Sequence, residues 1–454
     1  MSGIALIIAF VVAVVLMIVA ISKFKIHPFL AIMAIALILA ILAGLPLTSI
    51  ADTIGAGFSS AFTSIGIVII LGALIGSILE KTGAALKLAD MVIRVVGQKR
   101  PELAIELMGW VVSIPVFCDS GFVILNPIRK ALVKRTGTSS VAMTVALAAG
   151  LYISHVFIPP TPGPIAAAQT LGVGENLLLV MGLGLVCSIL PLIAGLVYAK
   201  FIGKRVKSAD EVNADPSEVT KTYEELVAEY GKLPGGFNAL APLIVPILLM
   251  ALSSISSMAG WSGAVADLLT FLGKPIIALA VGTVFAIAQL NIAGKGGDLY
   301  ELTNETLKTV GPILFVTAAG SVLGKVISTS SMVDFIKEHA TVLQSIGIFF
   351  PFLLAAILKT AQGSSTVAIT TTAGIVQPLL EVLGISSPAG IALVVMAIGA
   401  GAMTVSHAND SYFWVVTNFG DMTPEQGYKT QTMLTLVMGL ASMVGIFVLS
   451  LFLH

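Results

Sequence analysis

The sequence predicts an all-α polytopic membrane protein with about ten transmembrane crossings and two re-entrant helical hairpins. Hydrophobic residues make up 57% of the 454 residues. Charged residues make up 11%, less than half of the roughly 25% in ordinary soluble domains. The apolar residues gather into runs of membrane length, and Lys and Arg gather between those runs. Together these three observations exclude a water-soluble fold.

The crossings are predicted from apolar runs of roughly 20 residues, the length that a helix needs to span a bilayer. Such runs lie near 3–22, 28–46, 64–80, 138–172, 176–199, 239–259, 275–293, 309–328, 389–418 and 431–453.

Two further apolar runs are interrupted in the middle. The run 101–135 is broken at Cys118 to Gly121, and the run 346–382 is broken at Gln362 to Ser365. Each pattern predicts a helical hairpin that enters and leaves the membrane on one side.

The basic residues indicate a single orientation, because Lys and Arg in short loops mark the cytoplasmic face. Lys23 and Lys25 place the first loop inside. If 101–135 is re-entrant, three more basic clusters fall on the same side. They are Lys81 to Arg100, Arg129 to Arg135 and Lys200 to Lys207.

The chain is predicted to consist of two inverted-topology repeats. Residues 1–199 form the first repeat with hairpin 101–135, residues 200–238 a cytoplasmic linker, and residues 239–454 the second repeat with hairpin 346–382. Gly72 and Gly76 correspond to Gly320 and Gly324, where close helix packing is the expected role, and Ser154-His155 corresponds to Ser406-His407. Inverted repeats are a recurring plan in secondary transporters.

The chemistry is expected at four breaks in the helices, because irregular backbone at membrane depth is tolerated only inside protein or beside a cavity. These breaks are the two hairpin tips, Ser154 to Pro164, and Ser406 to Ser411. At the first tip, Asp119 or Ser120 is expected to cap the returning arm.

Free N–H groups at such helix starts can hold a carboxylate without an arginine, and nearby hydroxyls and amides suit a polyhydroxylated solute. Each of these side chains can equally serve only to satisfy a helix end. The candidate substrate-binding residues are Asp119, Ser120, Gly121, Asn126, His155, Thr161, Gln362, Gly363, Ser364, Ser365, Thr366, His407 and Asn409.

Proton coupling is a second role open to some of these residues. An ionised carboxylate at membrane depth costs about 2.5–3.5 kcal/mol, which favours a functional Asp119. Asp410, His155 and His407 are the other candidate proton carriers, since histidine titrates near neutral pH and desolvation favours the protonated form of a carboxyl group. The histidines can equally be hydrogen-bonded helix ends.

Other chemistry has little support. Cys118 and Cys187 both lie in apolar runs, which indicates neither a disulfide framework nor a metal cluster, and no cofactor is expected. The net charge is zero, without a single basic face, so no nucleic-acid partner is expected. The stretch Gly294 to Gly297 lacks the order of a phosphate-binding loop.

Four segments together resemble the gluconate permease family, the gluconate:proton symporters that include permeases for D-serine and other hydroxy acids. They are Phe117 to Phe122, His155 to Pro164, Ala361 to Thr366 and Ser406 to Ser411. The resemblance covers essentially the whole chain. It implies a bacterial inner-membrane carrier and proton-coupled uptake of a small organic acid. It also implies a homodimer of the ion transporter superfamily, in which a moving part carries both tips.

The resemblance indicates the class of protein and not the ligand. A sodium-coupled carrier, a permease for D-serine or a four-carbon aldonate, and an organic-anion channel stay open. A channel would favour a continuous polar stripe, whereas polarity here is concentrated at four breaks. An intramembrane enzyme using Asp119 with His155 is a further alternative, but a carrier rather than an enzyme is expected.

Overall fold

The computed structural model describes residues 4–88, 91, 100–212, 233–258, 261–331, 346–407 and 410–453. Helices account for the regular structure of these residues. Six of the helices are long and apolar enough to cross a membrane, and shorter apolar helices accompany them. The predicted all-α polytopic class is confirmed, while the number of crossings stays a prediction. Residues 213–232 of the predicted linker and Asn409 lie outside the described residues.

The first four helices, within residues 4–81, mostly match the apolar runs. They are α1 (Ile4–Ser22), α2 (Pro28–Leu42), α3 (Leu47–Ala61) and α4 (Ile67–Lys81). A π turn at Phe62–Gly66 joins α3 to α4, so the helical path begins well before the predicted run 64–80. Because α3 is rich in Ser, Thr and Gly, its mean hydropathy is low, so no apolar run predicts this helix.

The first hairpin consists of α5 (Pro101–Val112) and α6 (Cys118–Thr136), which pack against each other. Proline at the first position suits the start of α5, where the missing N–H needs no partner. Gly137, with a φ of +66°, ends α6 in the left-handed conformation that glycine adopts without strain. The two arms are separated as predicted, but the break lies at 113–117, and residues 118–121, where the sequence predicts the break, form the first turn of α6.

The centre of the protein is α7 (Ser140–Phe157), followed by α8 (Pro162–Thr170). The backbone leaves the helix at Ile158, as the run of prolines predicts. Every residue of α7 is buried, and its many Ala and Gly residues let neighbouring helices approach closely. By contrast, only 28% of the apolar window Gly236–Ser253 is buried, as expected of a helix that faces lipid.

The remaining helices complete the bundle. They are α9 (Leu177–Cys187), α10 (Ile189–Ile202), α11 (Ala209–Val212), α12 (Gly236–Met258), α13 (Ala264–Gly273), α14 (Pro275–Ile292), α15 (Leu299–Thr329), α16 (Phe349–Gln362), α17 (Ser365–Val376), α18 (Pro388–Met403), α19 (Ser411–Phe419), α20 (Pro424–Gly427) and α21 (Met433–Ser450). Helix α15 starts ten residues before the predicted run 309–328, since its first turns carry charged residues that project beyond the apolar stretch.

The second hairpin consists of α16 and α17, joined at Gly363 and Ser364. Gly363 has a φ of +89° and closes α16, while the Ser364 hydroxyl accepts a hydrogen bond from the N–H of Val367 and caps α17. Ser364 thus caps the returning arm of this hairpin. Between α18 and α19 the described residues 404–407 are not helical, in agreement with the predicted break.

Glycines bring the broken elements against the long helices. A Cβ atom on Gly76 would lie 2.2 Å from the carbonyl oxygen of Pro115, at the first tip. A Cβ atom on Gly324 would lie 2.4 Å from the carbonyl oxygen of Gly374, in α17. These contacts explain the corresponding glycine pairs of the two halves by close packing.

The contact between α15 and α17 makes a prediction for stability. We expect Gly324→Ala to destabilise the protein by about 1–3 kcal/mol, since the added methyl group meets backbone that cannot move aside. Gly311→Ala, in the same helix with no atom within 4 Å of its Cβ position, is the matched control and should be neutral. Thermal unfolding of both variants in detergent measures the difference, and equal transition temperatures would contradict the prediction.

Candidate functional site

A buried ion pair lies between the second hairpin and the start of α19. Nζ of Lys359, in α16, is 2.6 Å from Oδ2 of Asp410, and the two side chains are 0% and 6% exposed. The Lys359 ammonium also donates a hydrogen bond to the carbonyl oxygen of Gly363. A buried ammonium group thus finds both a counter-charge and a hydrogen-bond acceptor, which its removal from water requires.

Asp410 is also the cap of α19. Its Oδ1 accepts a hydrogen bond of 3.1 Å from the N–H of Tyr412, and its Oδ2 accepts one of 2.5 Å from the Ser406 hydroxyl. The predicted proton carrier Asp410 is therefore held by an ammonium group, a hydroxyl and a helix N-terminus.

The first hairpin tip faces the same place. Helix α6 begins at Cys118 after Phe117, which caps it without a side-chain hydrogen bond. The expected cap by Asp119 or Ser120 is wrong, because the helix begins earlier and places both residues in its first turn. The Asp119 carboxylate interacts with the charges of Asp410 and Lys359, and its Oδ1 is buried with no partner among the described residues.

Aromatic rings fill the space between the two tips. The ring of Tyr152 stacks on His155 at 6.4 Å and lies 5.0 Å from the ring of Tyr412. Nζ of Lys359 lies 5.7 Å from the centre of the Tyr152 ring, within the range of a cation–π interaction. The Tyr152 hydroxyl faces the side chain of Ser365, without a hydrogen bond of ordinary geometry.

These side chains form one group, which we call the central polar cluster. Three helix N-termini meet around it, those of α6, α17 and α19. The partial positive charge of helix N-termini suits the binding of an anion. The central polar cluster consists of Asp119, Tyr152, His155, Lys359, Ser365 and Asp410.

Several other predicted site residues lie at the hairpin tips and the break after α7. Thr366 is buried beside Ser365, and Thr161 is buried and donates a hydrogen bond of 2.8 Å to the carbonyl oxygen of Ile158. A Cβ atom on Gly121 would lie 2.6 Å from the side chain of Leu151, so this glycine permits close packing of α6 on α7. Gln362 is the last residue of α16.

His407 and Asn126 have other surroundings. Nε2 of His407 lies 3.0 Å from the carbonyl oxygen of Thr360. This contact joins the non-helical residues 404–407 to the second hairpin. Asn126 accepts a hydrogen bond of 2.7 Å from Nε of Arg129, which is completely buried and also donates to the Ser140 hydroxyl at 2.6 Å. This network lies at the base of the first hairpin, apart from the central polar cluster.

Two polar cavities lie at opposite ends of α15. The first, of about 570 Å³, includes Phe117 of the first hairpin tip in its lining, together with Lys81 and Asp298, which form a half-exposed ion pair of 3.1 Å. The second, of about 460 Å³, includes Lys325 and Gln377. The first cavity contacts α15 at Leu302–Thr309 and the second contacts it at Ser321–Ser328.

Sequence reasoning missed Lys359 and Tyr152. A lysine inside the apolar run 346–382 was a signal for Lys359, because a charge at membrane depth rarely occurs without a function. Nothing in the sequence marked Tyr152, which lies in a continuous apolar stretch of α7. In the described part of the chain, no group of three or more His, Cys, Asp or Glu residues is arranged to hold a metal ion.

A multi-pass helical membrane protein with broken helices around a buried polar cluster belongs to the class of membrane transporters. Comparison with known proteins agrees. The chain belongs to the GntP permease family, since the model described as GntP family permease matches residues 5–452. It is therefore a multi-pass transporter of the inner membrane and not an enzyme.

Relatives cover nearly the full length of the chain. An "Uncharacterized permease" of Haemophilus influenzae is 34% identical over 90% of this chain and 85% of that protein. The "Inner membrane permease YgbN" of Escherichia coli is 31% identical over 97% of each chain. The "Low-affinity gluconate transporter" of Escherichia coli is 30% identical, also over 97% of each.

Solved structures of transporters share the fold. The YdaH transporter of Alcanivorax borkumensis matches with a TM-score of 0.64 and 16% identity, over 93% of this chain and 97% of that chain. MtrF of Neisseria gonorrhoeae matches with the same TM-score and identity, over 95% of this chain and 96% of that chain.

The ion pair makes a prediction. We expect Lys359→Gln to destabilise the protein by about 3–5 kcal/mol, because it leaves Asp410 buried without a counter-charge. Lys359→Met combined with Asp410→Asn should recover much of this loss, since Asn still caps α19. Lys81→Gln, which breaks the half-exposed pair with Asp298, is the control and should cost about 0–1 kcal/mol. Denaturant unfolding in detergent measures all three, and similar losses for Lys359→Gln and Lys81→Gln would contradict the prediction.

Proposed function

We propose that the protein imports a gluconate-like sugar acid together with protons, by alternating access. The relatives named as gluconate transporters support this class of substrate. The observation that carries the proposal is the central polar cluster, in which three helix N-termini, an ammonium group and hydroxyl groups meet inside the membrane. These groups suit a small molecule that has one carboxylate and several hydroxyls.

The charges of the central polar cluster suggest how proton and anion are coupled. Lys359 contributes one positive charge, and Asp119 and Asp410 together contribute two negative charges when both are ionised. The excess negative charge then repels an organic anion. A proton on Asp119 removes that excess, so the helix N-termini can hold the substrate carboxylate. Proton and substrate therefore favour each other's binding, as symport requires.

Asp119 suits this role better than Asp410. Oδ1 of Asp119 has no hydrogen-bond partner among the described residues, whereas both oxygens of Asp410 are engaged. Nδ1 of His155, another member of the cluster, has no hydrogen-bond partner among the described residues, so His155 stays a second candidate. His407 stays a candidate with less support, since its ring contacts the carbonyl oxygen of Thr360.

The two cavities support alternating access. Lys81 and Lys295 line the first cavity, on the side that the basic residues assign to the cytoplasm. The second lies toward the other end of α15, a helix about 46 Å long at about 1.5 Å per residue over 31 residues. The first cavity reaches the first hairpin tip, which favours a conformation open to the cytoplasm.

We further propose that the chain consists of two inverted repeats and that it forms a homodimer. Support for the repeats comes from matching features in the two halves. Each half has one hairpin, one broken helix and one pair of glycines in close contact with a broken element. In this arrangement the hairpin tips and the two broken helices form a single site from both halves.

Transport in liposomes tests the function. Uptake of labelled gluconate by the purified protein is followed with an inward proton gradient, an inward sodium gradient, or neither. C4 to C6 sugar acids and D-serine serve as unlabelled competitors. Saturable uptake driven by the proton gradient is expected, and the strongest competitor identifies the substrate. Uptake driven only by sodium, or non-saturable flux, would instead support the sodium-coupled carrier or the channel.

Asp119 provides a sharper prediction. We expect Asp119→Asn to abolish uptake driven by the proton gradient, because the residue can no longer exchange a proton. The matched control is Glu175→Gln, which neutralises an exposed carboxylate in a loop and should leave uptake unchanged. Normal proton-driven uptake by Asp119→Asn in correctly folded protein would refute the role of Asp119.

The two serines of the second tip are expected to have different roles, substrate binding for Ser365 and helix capping for Ser364. Ser365→Ala should weaken substrate affinity with little effect on stability, since its buried side chain faces the central polar cluster. Ser364→Ala should destabilise the protein by about 1 kcal/mol, because it removes the cap of α17. Substrate affinity and unfolding midpoints of the two variants distinguish these roles, and unchanged affinity in Ser365→Ala would place the substrate elsewhere.

A further inference from the structure

A second buried carboxyl group lies outside the central polar cluster. Glu106, in α5, is completely buried. Neither Oε1 nor Oε2 has a hydrogen-bond partner in the part of the chain that the structure describes. A carboxyl group in such a place needs either a proton or a partner, and the described residues supply no hydrogen-bond partner.

The surroundings of Glu106 are tightly packed. A Cβ atom on Gly195, in α10, would lie 2.8 Å from Oε1 of Glu106 and 2.9 Å from Cβ of Ala149. The same position is 3.4 Å from the sulfur of Met438, in α21. A Cβ atom on Gly150 would lie 1.8 Å from the backbone oxygen of Glu106. The carboxyl group is thus enclosed where the first hairpin meets α7, α10 and α21.

Few charged groups act on this position. Lys200, which is exposed on α10, is the residue whose charge reaches the Glu106 carboxyl group. The titratable residues of α7, Tyr152 and His155, belong to the central polar cluster. Helix α21 presents Met438 to this junction and contains no titratable residue.

A structural role explains Glu106 poorly. A buried carboxyl group that stabilises a fold does so through hydrogen bonds or an ion pair in good geometry, and Glu106 has neither among the described residues. Ionisable residues inside membrane proteins commonly belong to proton or substrate pathways. The position of Glu106, on the first hairpin and against α7, connects it to the elements that carry Asp119, Tyr152 and His155.

We propose that Glu106 is a proton-binding site of the transport cycle, separate from the central polar cluster. This inference rests on the proposed function. The proton is bound while the first hairpin packs against α7, α10 and α21. When that contact opens, the O–H bond of the carboxylic acid breaks and the proton passes to water. The negative charge left on Glu106 then faces the ammonium group of Lys200, which stabilises it.

Two assays in liposomes test the inference with the full-length protein. The first is accumulation of labelled gluconate driven by a proton gradient, and the second is exchange of labelled for unlabelled gluconate without a gradient. Glu106→Gln imitates the protonated state permanently. It should therefore retain exchange and lose gradient-driven accumulation, down to the level seen without a gradient. Glu106→Asp keeps a titratable carboxyl group and should retain accumulation.

Controls separate coupling from folding. Glu102→Gln neutralises a partly exposed carboxylate one turn earlier in α5 and should leave both assays unchanged. Size-exclusion profiles and unfolding midpoints establish that each variant is folded. Gradient-driven accumulation by Glu106→Gln at the wild-type level would overturn the inference. Equal loss of exchange and accumulation in both Glu106→Gln and Glu106→Asp would also overturn it, in favour of a structural role.

Infrared spectroscopy of the wild type distinguishes failure of this inference from failure of the proposed function. The spectrum of the protein should contain a carbonyl band of a protonated carboxylic acid that is absent in Glu106→Gln. If the wild type transports no gluconate under any gradient, the proposed function fails, while this band still reports the proton on Glu106. If the band is unchanged in Glu106→Gln, Glu106 holds no proton and the inference fails whatever the substrate.

Discussion

The ion pair between Lys359 and Asp410 is the interaction on which the rest of the site depends. An ammonium group inside the membrane is tolerated only with a counter-charge, so α16 and the start of α19 must lie side by side. The same aspartate caps α19 and accepts a hydrogen bond from Ser406. One pair of charges therefore fixes the second hairpin, the unwound stretch and the start of the next helix relative to one another.

The breaks in the helices follow from the need to satisfy backbone polar groups away from water. Side chains meet this need. The Ser364 hydroxyl caps α17 at its own break, and the Thr435 hydroxyl, in α21, accepts a hydrogen bond from the N–H of Ser406. Because side chains satisfy these groups without water, the helix N-termini can converge on one buried place. The free-energy cost of breaking a membrane helix is thus offset by side-chain hydrogen bonds from groups that also shape the site.

The fold separates two kinds of carboxyl group. Both oxygens of Asp410 have partners, whereas one oxygen of Asp119 and both oxygens of Glu106 have none among the described residues. Asp119 lies among charges and helix N-termini, where its protonation state changes the field that an anion would meet. Glu106 lies in the other arm of the same hairpin, close to Gly195 and Ala149. The two unpartnered carboxyl groups therefore have different surroundings within one hairpin.

The sequence by itself determined the membrane class and the helix breaks after α7, at the second hairpin tip and before α19, because hydropathy and interruptions by Gly, Pro and Ser are local properties of the chain. It placed the break of the first hairpin a few residues too late. It also marked Asp119 and Asp410, since charges in apolar runs are rare. It did not show that Asp410 pairs with Lys359, 51 residues earlier in the chain, or that the ring of Tyr152 lies beside the Lys359 ammonium group. It also missed helix α3, whose mean hydropathy is low, and placed the start of α6 too late, because α6 begins after Phe117 without a side-chain cap that the sequence could mark. Only the tertiary structure decided which buried charges have partners and which do not, since a partner distant in sequence leaves no local signal.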